Sequence, residues 1–245
     1  MAQHQPRPQD ANIDTVVHQP DPDAVPRSTW ADPDSRWRNV AVLAGLALLA
    51  VISGIAAKEA DESQFRWAAN LGNYPAAWVL ILALIGRLSQ GFVQAALRSS
   101  VFFVSMCLAY YAWARYVMEF PVDRDFYLWT ALAVSAVPVI ATIVRWASFR
   151  QGVFAGLTLA SVGALAVADG LAWQLWWAWV LNEAPDDFPL QPFQGLLSIA
   201  VALVVAGGLP RHTSTRRYAL VLLLPVAVLM RSLVDRVFSV AFSMI

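Results

Sequence analysis

One cysteine, one lysine and three histidines are all that this 245-residue chain offers to the chemistry of thiols, amines and imidazoles. Cys107, alone in an apolar run, has no intramolecular disulfide partner, so the redox compartment stays undetermined. His4, His18 and His212 all lie outside the apolar runs, which excludes a histidine-based metal or haem centre within a membrane. The same placement leaves Ser105, Ser135 and Ser161 without the usual base for nucleophilic catalysis. There is no HExxH, no phosphate loop and no pair of carboxylates on one span. Lys58 falls in a polar loop, so no retinal Schiff base can form on the last helix. Charged residues make up only 14 % and sum to zero, so no overall field points to nucleic acid. No cofactor is expected, and the inventory supports no enzyme class.

What the chain has is apolar surface, at 58 % of its residues. A helix needs roughly 20 residues to cross about 30 Å of hydrocarbon. Several runs approach that length, and the fold expected is an all-α polytopic transmembrane bundle of about seven spans. Residues 1–35, with Pro6, Pro8, Pro20, Pro22, Pro26 and Pro33, read as a disordered tail. They do not read as a signal peptide, because the first apolar run starts only at Val40. The transmembrane domain is expected over residues 36–245, with spans at about 40–57, 76–88, 99–114, 126–144, 152–172, 193–209 and 218–237. Small residues recur along the first span at Ala41, Ala44, Ala47, Ala50, Ser53 and Ala56, a surface on which another helix can approach closely. Pro138 should kink the fourth span and free one carbonyl.

Charge gives the orientation. Basic residues gather on the cytoplasmic side of membrane proteins. With a cytoplasmic N-terminus, the inner segments hold Arg36/Arg38, Arg87/Arg98, Arg145/Arg150 and Arg211/Arg216/Arg217. The outer loops hold Lys58/Arg66, then Arg115/Arg124, then no base, and each carries three acids. The alternation holds at every link. It predicts a cell-membrane protein with its N-terminus inside and its C-terminus outside.

The fifth span carries the most information. Gly152, Gly156, Gly163 and Gly170 fall within roughly 40° of one another at helical spacing, a stripe suited to close helix packing. Asp169 points away from that stripe, on the side of Thr158, Val162 and Trp173. It lies about 25 Å up its helix, against about 20 Å for Arg231 and about 26 Å for Asp235 on the seventh span. Asp169, Arg231 and Asp235 are therefore the candidate lining of a polar pocket in the outer leaflet, and the alternative is that they are interfacial charges paired for stability. Trp173, Trp176, Trp177 and Trp179, with Trp78, Trp113 and Trp129, form an aromatic belt by position.

The run NLGNYPAAW from Asn70 to Trp78, the pair Tyr110–Tyr111, and a fifth helix with Gly156, Gly163 and Asp169 resemble a family of bacterial multi-pass membrane proteins of unknown function. The resemblance implies fold and location but no mechanism. Two roles are expected to compete. One is a transporter-like or lipid- or small-molecule-handling protein using the polar pocket. The other is a structural subunit docking through the small-residue faces of the first and fifth spans. The partners expected are the lipid bilayer and either a second membrane protein or another copy of the chain, with nucleic acid excluded.

Overall fold

The computed structural model describes residues 33–65, 68, 74–121, 124–181 and 191–243; side chains at 33–36, 235 and beyond 236 lie outside that description. The expected tail therefore falls outside the described residues as far as residue 32, and so does the side chain of Asp235. The chain divides into residues 1–40 and 41–245, and the packing below concerns the second unit.

The described residues are helical, and no strand occurs among them. Helix α1 spans Pro33–Asp61, α2 Pro75–Leu88, α3 Phe92–Tyr116, α4 Asp125–Val134 and α5 Ala136–Phe149. They are followed by α6 Val153–Leu165, α7 Leu171–Trp176, α8 Pro192–Leu203 and α9 Thr213–Ser243. Proline at the first turn starts α2 and α8, where its missing N–H costs nothing. Ser89 ends α2, its hydroxyl and its amide both donating to the Ile85 carbonyl. Ser135 separates α4 from α5, three residues before Pro138, which cannot donate to the Val134 carbonyl. Pro225 interrupts nothing in α9.

Four stretches are long and apolar enough to cross a membrane: Trp37–Asp61, Phe92–Tyr116, Asp125–Phe149 and Thr213–Val234. Pro75–Leu88, Val153–Leu165 and Pro192–Gly208 are apolar but shorter. The 14 residues of α2 rise only about 21 Å, less than a bilayer core. Side-chain size is distributed in the reverse of a water-soluble protein. The buried positions are largely alanine, such as Ala50, Ala76, Ala83, Ala141, Ala160, Ala164 and Ala206. Large apolar side chains face outward, as at Val221 (74 % exposed) and Leu229 (68 %). Water would oppose that surface, and hydrocarbon does not. This is a membrane protein.

Small residues let the helices meet backbone to backbone. On α1 the buried line is Ala50, Gly54 and Ala57, and Gly54 sits against the Met106 carbonyl of α3. The every-third alanine series follows that line only at Ala50, because a 3.6-residue repeat drifts off a period of three; Ala41, Ala44 and Ala56 are exposed. At the start of α2, the Tyr74 hydroxyl donates to the Gln194 carbonyl and lies 2.5 Å from Ser198 Oγ, tying α2 to α8.

Candidate functional site

The expected fifth span is not one helix. Helix α6 stops at Leu165, a turn occupies 166–169, and α7 restarts at Leu171. Gly170 adopts φ 91° and ψ −8°, a left-handed conformation that a side chain resists. Asp169 Oδ1 accepts the Leu171 amide at 3.1 Å, an Asx turn that leads into the restart. Oδ2 of the same carboxylate and Nε1 of Trp173, one turn on, are buried with no hydrogen-bond partner among the described residues.

Arg231 reaches this break from α9. Its guanidinium lies over the bare backbone of Gly170, where an added Cβ would come within 2.6 Å of Nη1. Nη1 donates to the Ala168 carbonyl at 3.3 Å. Asp169 and Arg231 thus meet at one unwound turn, each engaging its backbone. Buried backbone freed by such a break needs partners in place of the helical ones.

The four glycines do different things. Gly152 opens α6 at φ 113° with open space around it, its amide donating to Thr215 Oγ1 at 3.2 Å. Gly156 lies against α9, where a Cβ would fall 2.6 Å from that of Tyr218. Gly163 lies against α8 and α9, 3.1 Å from the Ala202 carbonyl and 3.2 Å from Leu223 by the same measure. Gly170 makes room for Arg231.

Beside the break is a cavity of about 490 Å³. Helix α1 contributes Ala57, α2 Trp78 and Leu82, α3 Phe103, Met106, Cys107, Tyr110 and Tyr111. Helices α4 and α5 contribute Trp129, Ala133 and Ile140, and the break itself contributes Leu165 and Ala168. The lining is almost wholly apolar and aromatic, within the size range of small-molecule sites. Asp169 and Arg231 are not on its wall; the carboxylate follows wall residue Ala168 in the chain.

Polar groups collect just behind the wall residues Ala57 and Tyr110 of this cavity. The ring of Tyr110 lines it, and its hydroxyl donates to Asp61 Oδ2 at 2.7 Å. Next to lining Ala57, the Lys58 ammonium donates to Glu62 Oε1 at 2.6 Å and stands 5.4 Å from the Tyr110 ring and 4.7 Å from the Phe120 ring. Trp113 Nε1 donates to Glu59 Oε1 at 2.7 Å. Edge-to-face contacts continue from Tyr110 through Tyr111 and Phe126 to Tyr127, with centroids 5.1, 5.2 and 5.3 Å apart. Of the belt tryptophans, Trp78 and Trp129 line the cavity, while Trp176, Trp177 and Trp179 are exposed.

Reasoning from sequence missed this collar. The signal available was a lone lysine on the turn Lys58–Glu62 and an aromatic pair at Tyr110–Tyr111. It also missed the break, although Asp169–Gly170 is a turn dipeptide. Among the described residues, no cluster of His, Cys, Asp and Glu could hold a metal ion.

A family model described as a family of unknown function (DUF6518) matches residues 31–240. No curated protein matches. No solved structure does either.

Proposed function

The chain belongs to the DUF6518 family of unknown function, and from that premise we propose that it is a multi-pass membrane protein that binds an apolar small molecule or lipid chain. The observation that carries this reading is the partly open aromatic cavity of about 490 Å³ lined by α1 to α5 and the α6 break. A concave apolar and aromatic surface of that size suits a small apolar ligand. The unwound turn in its wall, with Asp169 beside it, gives a transporter-like reading its physical basis, since broken helices at membrane depth carry binding sites in transporters. In this reading Asp169 and Arg231 stand just behind the wall at the unwound turn and supply a polar side to the site.

The test is purification in mild detergent followed by mass analysis of what stays bound. Ala133→Phe, which places a ring in the cavity, should lose that molecule while the protein stays folded. An unchanged complement of bound molecules in a folded Ala133→Phe variant sinks the reading.

The proposed topology has seven spans, with the short helices α2, α6 and α8 crossing beside the long ones, and a cytoplasmic N-terminus. Reporters placed after Lys58, Glu119 and Asp186 should then read outside, and those after Gln151 and Thr213 inside. A C-terminal reporter that reads cytoplasmic removes the seventh span.

Partner docking is the second reading, and one observation favours it. Ala41, Ala44 and Gly45 on α1 are exposed, and a Cβ at Gly45 would meet nothing within 4 Å. The small face of α6 is already taken up by α8 and α9. A stoichiometric membrane partner lost in Gly45→Leu supports docking through α1. A chain that purifies alone, with a bound small molecule, refutes it.

A further inference from the structure

Behind the wall residues Ala57 and Tyr110 stands a polar collar suited to a positive charge, and the protein's own lysine occupies that collar. Lys58 is only 8 % exposed, unusual for a lysine, and its ammonium is held by one carboxylate and two aromatic faces. The turn that carries it, residues 58–62, has three acids, Glu59, Asp61 and Glu62, against that single base. An anion entering here meets a lysine already neutralised at 2.6 Å and two further carboxylates nearby. A cation meets the faces of Tyr110 and Phe120 and the same carboxylates. Both the charge count and the ring geometry favour the cation.

We propose that the cavity selects amphiphilic cations, with an apolar tail among Trp78, Phe103 and Trp129 and an ammonium head in the position that Lys58 holds. Tyr110 joins the two halves, its ring on the cavity wall and its hydroxyl on Asp61. Lys58 has a flexible four-carbon stem, and Glu62 is 45 % exposed, so the ammonium can swing outward as a ligand head replaces it. This inference rests on reading the cavity as a ligand site, and it adds the chemical class of the ligand.

The test uses the full chain in nanodiscs of uncharged glycolipid. Three brominated hexadecyl probes differ only in head group: trimethylammonium, hydroxyl or carboxylate. Bromine in the cavity quenches Trp78 and Trp129, and the Trp78→Phe/Trp129→Phe double variant supplies the background. The trimethylammonium probe should bind about tenfold more tightly than the alcohol at low ionic strength, with the carboxylate weakest. Lys58→Met, which removes the competing ammonium, should strengthen trimethylammonium binding, and Glu62→Gln should weaken it, with the alcohol unchanged in both. The wild-type ranking decides the matter even if neither variant folds. Equal affinities for the three heads, or tightest binding of the carboxylate, overturn the proposed selectivity while leaving the cavity a ligand site. Quenching no greater than the double-variant background with every probe overturns both.

Discussion

The two ends of the helix bundle are held by opposite means. At one end the connections are short, at residues 89–91, 150–152 and 209–212, and seven arginines gather without one acid: Arg87, Arg98, Arg145, Arg150, Arg211, Arg216 and Arg217. Arg145 donates to the carbonyls of Ser89 and Gln90, and Arg87 donates to that of Leu209 at 3.0 Å. Both guanidinium groups lie over the ring of Phe149, at 4.9 and 4.4 Å. The Arg211 amide donates to Ser148, and Thr215 Oγ1 to the Arg150 carbonyl at 2.8 Å. Charge at this end is spent on helix-terminal carbonyls, where cations are favoured. At the other end the connecting segments are longer and carry acids, the cavity lies below them, and α6 is broken. One end closes the bundle, and the other leaves room in it. That room is the site of the proposed ligand.

The largest effect is expected where α6 and α9 meet closely, near the arginine end. Gly156→Leu should separate α6 from α9, because even a Cβ there would come within 2.6 Å of Tyr218 Cβ and 3.0 Å of the Ala219 backbone nitrogen. Overpacking costs about 1–3 kcal/mol where neighbours can move, and a backbone neighbour moves least. Yield and melting temperature in detergent should both fall sharply. Gly163→Leu should do the same, with Gly163→Ala milder, since its nearest neighbours stand at 3.1 and 3.2 Å. Wild-type stability in Gly156→Leu would mean that the α6–α9 seam is not where these helices are held.

Arg145→Ala comes next. It removes a guanidinium that serves two carbonyls, and charge-assisted bonds contribute about 1.5–3 kcal/mol. Arg145→Lys should rescue only part, because an ammonium lacks the planar fork that spans two acceptors. Ligand binding at the far end should persist in whatever fraction folds. Loss of binding with full stability would break the division of labour between the ends.

Ala133→Phe tests the opposite end and should move stability less than either change above. The added ring enters existing space, so the melting temperature should hold or rise while bound lipid is lost. A fall as large as that of Arg145→Ala would show that this end is packed as tightly as the other.

Sequence foretold the two ends unequally, for physical reasons. Helix positions and the arginine links were legible, because apolar length and the sign of charge are local properties. All four glycines were read as one stripe, yet Gly156 and Gly163 face neighbouring helices while Gly152 and Gly170 take positive φ. Angular position on an ideal helix cannot separate those roles, since the helix itself ends between Gly163 and Gly170. Helical depth put Asp169 and Arg231 at similar levels, and Arg231 contacts Ala168 and Gly170, the residues on either side of Asp169. The cavity was illegible. It arises between six helices, and no single stretch encodes space that several leave unfilled.

The smallest effect, and the most discriminating, concerns Asp169 with Arg231. The carboxylate holds the Leu171 amide through Oδ1, and the guanidinium holds the Ala168 carbonyl. Asp169→Asn keeps an acceptor for that amide, so it should cost little, about 0.5–1 kcal/mol. Arg231→Gln loses the cation over Gly170 and should cost more. If the two charges stabilise the break together, the double variant should cost less than the sum of the singles by about 1 kcal/mol. Thermal melts of the four proteins in one detergent give that difference directly. Strict additivity would mean that each charge serves only its own backbone contact. Loss of the bound molecule in Asp169→Asn, with its melting temperature preserved, would place the carboxylate in ligand handling. The broken helix would then belong to the same open end as the cavity.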